Sequence, residues 1–136
     1  MAFVSGARQV GKTTVCQSFA SASSYLNWDI DEDRAVLRRG QAAIVARLGL
    51  ERARVRPPVA VFDEPHRFGR WKRLLKGLYD AHGKDVRIVV TDSSRLDVYQ
   101  RGGDSLMGRY FLYACTPSAW ASSSVRALPK SRYSLP

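Results

Sequence analysis

The sequence predicts an α/β fold, an open and mainly parallel sheet with helices on both faces. Three observations predict it. Short apolar runs such as Ala2-Phe3-Val4-Ser5, Val59-Ala60-Val61-Phe62 and Val86-Arg87-Ile88-Val89-Val90 have the near-continuous hydrophobicity of strands buried on both faces. Segments of helical period separate them, the order expected of parallel strands joined by crossover helices. A glycine-containing loop, Gly6 to Thr13, lies between the first run and the first helical segment.

In chain order, the first strand begins almost at Met1 and ends at Gly6, and Val15, Cys16, Phe19 and Ala20 then recur at helical spacing from Lys12 to about Ala20. Tyr25-Leu26-Asn27-Trp28 reads as a second strand. It runs into the acidic cluster Asp29, Asp31, Glu32 and Asp33, suited to cap and charge the helix that carries Val36 and Leu37. Gly40 breaks that helix, and Ile44, Val45 and Leu48 support another before the basic stretch from Glu51 to Pro58. Val59 to Phe62 is a third strand, delivering Asp63-Glu64 at its end. Trp71, Leu74, Leu75, Leu78 and Tyr79 form one apolar stripe, with Lys72, Arg73 and Lys76 directed away from it. Val86 to Val90 is a fourth strand and Tyr110 to Tyr113 a fifth. The core is expected over 1–114; the Ser-, Pro- and Ala-rich 115–136 has no sustained period and reads as a disordered tail.

A chain of 136 residues holds one ordinary domain, and with 45% hydrophobic residues it has the apolar content for a packed core. It contains no run of about 18 apolar residues and no signal-peptide pattern, so no membrane partner is expected and the compartment is read as cytoplasmic. Cys16 and Cys115 lie far from any metal-ligand spacing and read as reduced, buried thiols. A net charge of +10 favours polyanions, nucleic acid among them, although the arginines are spread along the chain with few aromatics between them to stack bases.

Gly6-Ala7-Arg8-Gln9-Val10-Gly11-Lys12-Thr13 fits G-x-x-x-x-G-K-[ST] between a strand and a helix. In such a loop the backbone N–H groups and the helix N-terminus cradle phosphates, Lys12 reaches the β/γ oxygens, and the Thr13 hydroxyl binds Mg²⁺. Thr14 follows within the same binding segment. An NTPase needs carboxylates too: Asp63 is placed to hold Mg²⁺ and Glu64 to polarise the attacking water. Alone, acidic residues after a strand are common; together with the loop they point to a site.

The series Gly6 to Thr14, Tyr25-Leu26-Asn27-Trp28-Asp29, Phe62-Asp63-Glu64-Pro65-His66, Trp71-Lys72-Arg73-Leu74-Leu75-Lys76-Gly77, Val90-Thr91-Asp92-Ser93-Ser94 and Gly108-Arg109-Tyr110 closely resembles the AAA-type ATPases that usually precede a DUF4143 region. The resemblance covers about Phe3 to Tyr113. It implies an ASCE/AAA-like P-loop NTPase fold, ATP and Mg²⁺ as ligands, Ser93 as a polar sensor and Arg109 as an arginine finger. A finger often acts on a neighbouring subunit, so the resemblance also implies a homo-oligomer. Read without it, Arg109 is one more surface arginine.

The chain departs from that family at Asp92, where glycine is usual and where a carboxylate is expected near the γ-phosphate, repelling it unless Mg²⁺ or a lysine compensates. Pro65 is less usual, and the implied C-terminal region is missing, as in a truncated chain. His66 and His82 read as ordinary surface or supporting residues, while Asp29 and Asp31 suit either helix capping or the edge of the site. Three functions follow as expectations: Mg-dependent ATP hydrolysis, a nucleotide-binding remnant with little turnover, or a basic nucleic-acid-binding module.

Overall fold

The computed structural model describes residues 1–21, 24–93, 106 and 108–115. Five strands, β1 (Ala2–Gly6), β2 (Tyr25–Asn27), β3 (Val59–Asp63), β4 (Arg87–Asp92) and β5 (Phe111–Cys115), form one sheet in the order β2-β3-β4-β1-β5. Every pairing is parallel. Four helices accompany them: α1 (Lys12–Phe19), α2 (Asp31–Arg39), α3 (Gln41–Leu48) and α4 (Trp71–His82), with a 3-10 turn at Pro65–Arg67. The expected open α/β sheet is therefore present.

The register divides the sheet into two faces. Leu26 pairs with Phe62, Phe62 with Val90, and Val90 with Phe3, so these side chains form one row across four strands. That face carries the main core, where Leu37 of α2, Ile44 and Leu48 of α3, and Trp71, Leu75 and Leu78 of α4 pack on it. Full burial of Leu75 and Leu78 stabilises by about 1.5–3 kcal/mol each relative to exposure. On the opposite parity Val59, Val61 and Val89 share an apolar cavity of about 470 Å³ with Cys16 and Phe19 of α1. Helices thus lie on both faces.

Several local readings shift. β2 stops at Asn27; Trp28 leaves the strand and stacks on Phe68, ring centroids 5.3 Å apart, with the Arg34 and Arg38 guanidinium groups over its ring. The N-cap of α2 is Ile30 without a side-chain cap bond, so the acidic cluster does not cap it as expected. Asp31, Glu32 and Asp33 sit instead in its first turn, where the helix dipole favours them. Buried Asp33 accepts the Asn27 N–H at 3.0 Å and Arg47 at 3.3 Å, tying α2 to β2 and α3. β5 runs through Cys115, one residue past the expected end of the core. The remainder of the expected tail lies outside the described residues.

Because all strands run the same way, Gly6, Asn27, Asp63 and Asp92 end at one edge of the sheet. In open α/β sheets the crevice beyond the carboxyl ends of the strands is where ligands bind.

Candidate functional site

The chain leaves β1 at Gly6 and turns into α1 through Gln9 (φ 63°) and Gly11 (φ 82°), both left-handed. Buried Val10 anchors the loop from inside. Gly11 is the N-cap of α1 and no side chain caps it, so the first-turn N–H groups face outward for a ligand. Lys12 folds back over its own loop, its Nζ donating to the Gly6 and Ala7 carbonyls at 2.6 Å each. The ammonium is thereby held at the loop.

A cavity of about 590 Å³ opens there, a size typical of small-molecule sites. Arg8, Gln9, Gly11, Lys12, Thr13 and Thr14 line one side. Asp63, Glu64 and Ser93, from the ends of β3 and β4, line the other, and Asp29 with Arg67 closes it beside β2. Gly6, Ala7 and Val10 serve the loop from behind, through the carbonyls on Lys12 and the buried anchor. Asp29 does reach the site's edge, where it accepts from Arg67 at 2.6 Å; Asp31 is an exposed partner of Arg34.

Asp63 is buried and oriented by hydroxyls. Oδ2 accepts from the Tyr25 phenol and, at 3.5 Å, from Thr13; Oδ1 accepts from Thr91 on β4. Burial, and after it the bond to Asp63, holds the Tyr25 pKa above the ordinary phenol value, so the phenol remains a donor. Tyr25 and Thr91 fall within segments that carry the resemblance but are assigned no role by it, and the β2-β3-β4 adjacency makes them partners of Asp63. The oxygen donors of Thr13 and Asp63 suit a hard cation such as Mg²⁺.

Glu64 takes a left-handed backbone (φ 55°) at the end of β3, and its Oε1 accepts the Ser93 N–H at 3.1 Å. Its Oε2 lies 3.5 Å from Nδ1 of His66, which lies 3.2 Å from Oδ1 of Asp92. This corrects the expectation for Asp92. Asp92 is fully buried and does not line the nucleotide cavity, because at the end of β4 its carboxylate is turned to His66. Of the two readings of His66, surface or supporting, the structure gives the supporting one, between two carboxylates. A short turn carries it there from Glu64, and the meeting with Asp92 requires β3 to lie beside β4. His82, by contrast, faces Asp85 at 3.7 Å near the surface.

Arg109 is not brought to this cavity in its own chain. It precedes β5, at the sheet edge opposite Gly6, and its guanidinium grips Asp80 of α4 through Nε at 2.8 Å and a second nitrogen at 3.3 Å. Its carbonyl accepts the N-terminal ammonium at 2.9 Å.

A family model described as an AAA domain matches residues 1–122. The chain belongs to the AAA domain family. This AAA domain is a nucleotide-binding module with a P-loop NTPase-like fold, in which the strand that delivers the Lys12 loop is separated by β4 from the strand that delivers Asp63. No curated protein matches the chain significantly. Among the described residues no helix is long and apolar enough to cross a membrane.

Proposed function

We propose that this AAA domain binds Mg-ATP and hydrolyses it, slowly when the chain acts alone. The observation that carries the reading is the shared cavity, in which the Gly6–Thr13 loop with Lys12 faces Asp63, Glu64 and Ser93. Backbone N–H groups of the loop and Lys12 would take the phosphates, and the Lys12 ammonium would exchange its two carbonyl partners for phosphate oxygens. Thr13 and Asp63 would hold Mg²⁺, whose charge would offset that of the phosphates. Glu64 would orient and polarise water for in-line attack, while Ser93 fixes one of its oxygens and stands at the sensor position.

Slow turnover follows from the placement of Arg109. A finger arginine contributes about 10³- to 10⁵-fold, and this one is pinned to Asp80 at the far edge of its own sheet. Only a neighbouring copy could receive it.

Two measurements test the reading. By calorimetry, Lys12→Ala should lose Mg-ATP binding while its circular dichroism spectrum matches the parent; equal affinity would refute the site. Phosphate release per chain should rise with protein concentration and fall to background in Glu64→Gln. Robust turnover independent of concentration would refute the need for a neighbour.

A further inference from the structure

Glu64, His66 and Asp92 meet where β3 and β4 end side by side, with Asp63 in register with Thr91. One ring nitrogen faces two carboxylates. Nδ1 of His66 is shielded from water and makes no hydrogen bond of regular geometry, although Asp92 Oδ1 is 3.2 Å away and Glu64 Oε2 3.5 Å away. An imidazole nitrogen carries at most one proton, so a well-aligned hydrogen bond to one acid is made at the expense of the other.

The choice governs what Glu64 can do. Its Oε1 already accepts the Ser93 N–H, so Oε2 is the oxygen with more of its accepting capacity left for water. An N–H from His66 on Oε2 would compete with the attacking water for that oxygen. The Glu64 side chain keeps 17% of its surface exposed whereas Asp92 keeps none. Water can solvate Glu64 in place of His66 and cannot do so for Asp92, whose carboxylate is met by protein groups, His66 among them. The shorter distance points the same way.

We propose that Asp92 holds the His66 Nδ1 proton and thereby keeps Oε2 of Glu64 free for the attacking water, making His66 and Asp92 positioning residues that act through Glu64. The inference rests on the hydrolytic reading of Glu64 given above. It also gives a role to a carboxylate at a position where the resembling ATPases carry glycine. Neither residue lines the nucleotide cavity, so the effect belongs to the chemical step and not to nucleotide affinity.

The test compares Mg-ATP turnover of the parent, Asp92→Ala, the double variant Asp92→Ala with His66→Ala, and Glu64→Gln. Removal of the Asp92 carboxylate should release His66 onto Glu64 and lower kcat about tenfold, less than the about 10²- to 10⁴-fold worth of a positioned base because Glu64 itself remains, with KM for ATP unchanged. Removal of His66 from that background should restore most of the loss. A single variant as fast as the parent, or a double variant as slow as the single, overturns the proposal. If Glu64→Gln turns over like the parent, the hydrolytic reading fails instead.

Proton NMR decides the pairing itself, whatever the turnover. With two histidines in the chain, the ring N–H resonance of His66 is assigned by its loss in His66→Ala. Its shielding from water should make exchange slow enough for observation. The resonance should move in Asp92→Asn and stay in Glu64→Gln. A resonance that responds to Glu64→Gln and not to Asp92→Asn places the proton on Glu64 and overturns the proposal.

Discussion

Gly6 is where sheet and phosphate loop meet, and Gly6→Ala tests how strictly each depends on the other. A Cβ on Gly6 would lie 2.5 Å from the Cys115 carbonyl oxygen and 3.1 Å from the Cys115 Cβ. Carbon atoms settle about 3.5 Å from their neighbours, so the end of β5 would have to retreat by roughly 1 Å. The nearest atom is main chain, and truncating the Cys115 side chain offers no relief. Overpacking of this kind costs about 1–3 kcal/mol, which in a domain of this size lowers Tm by roughly 3–12 °C. The same carbonyl group that leaves β1 at Gly6 holds Lys12 at 2.6 Å, so the displacement is shared with the phosphate loop. Misplacement of about 1 Å can cost on the order of 10²-fold in rate. Thermal unfolding and Mg-ATP calorimetry should be run beside Gly69→Ala, whose added Cβ meets nothing within 4 Å and should stay within about 0.5 kcal/mol of the parent. If Gly6→Ala melts with the parent and binds Mg-ATP equally well, the close approach to β5 is not what excludes a side chain there.

The remaining predictions concern the groups around Asp63. Tyr25→Phe removes a hydroxyl from the buried carboxylate and should lower unfolding stability by about 1–2 kcal/mol in urea, whereas an unchanged midpoint would mean that Thr13 and Thr91 suffice. Burial first, and the charge of Asp63 second, push the Cys16 thiol up from 9.0 to about 11. A folded pKa above the unfolded one means that the folded state binds the extra proton. Its contribution is fully present below pH 9.0 and lost as the pH rises to about 11. Unfolding midpoints should therefore fall across that window, less steeply in Cys16→Ala, and the native thiol should resist alkylation near pH 8. Equal slopes in parent and variant would remove Cys16 as the cause.

Much of this architecture was legible because its signals are local. The apolar runs at Ala2, Val59 and Val86 are hydrophobic enough to be read as doubly buried, and the Trp71 stripe buries Trp71, Leu75 and Leu78 as its spacing requires. The loop at Gly6 and the carboxylates at Asp63-Glu64 announce themselves by residue type and flanking pattern. The contacts of Tyr25 and Thr91 with Asp63, and of His66 with Asp92, do not, since each arises only through the β2-β3-β4 pairing, which no spacing along the chain encodes. Asp92 was misread for a related reason. A residue at the end of a strand can face the ligand or a neighbouring turn, and the 3-10 turn that carries His66 occupies the second direction. The acidic cluster after β2 failed as a cap because Ile30, not an aspartate, occupies the position that the helix start defines.

The backbone at Glu64 explains how adjacent carboxylates come to share one cavity. Successive residues of a strand point to opposite faces, so a continued β3 would send Glu64 away from the side occupied by Asp63. A left-handed conformation at Glu64 breaks that alternation. Non-glycine residues rarely adopt it, and it costs on the order of 1–3 kcal/mol unless its surroundings impose it. Here β4 imposes it: the Glu64 N–H donates to the Thr91 carbonyl at 3.1 Å, and the side chain accepts from Ser93 two residues further along the same chain segment. Gln9, in the loop after β1, is the other non-glycine residue with positive φ among the described residues. Both lie at the carboxyl edge of the sheet and both line the cavity. Strain at these two positions, on opposite walls of one polar pocket, concentrates where the chain must aim groups at a ligand instead of following the geometry of the strand.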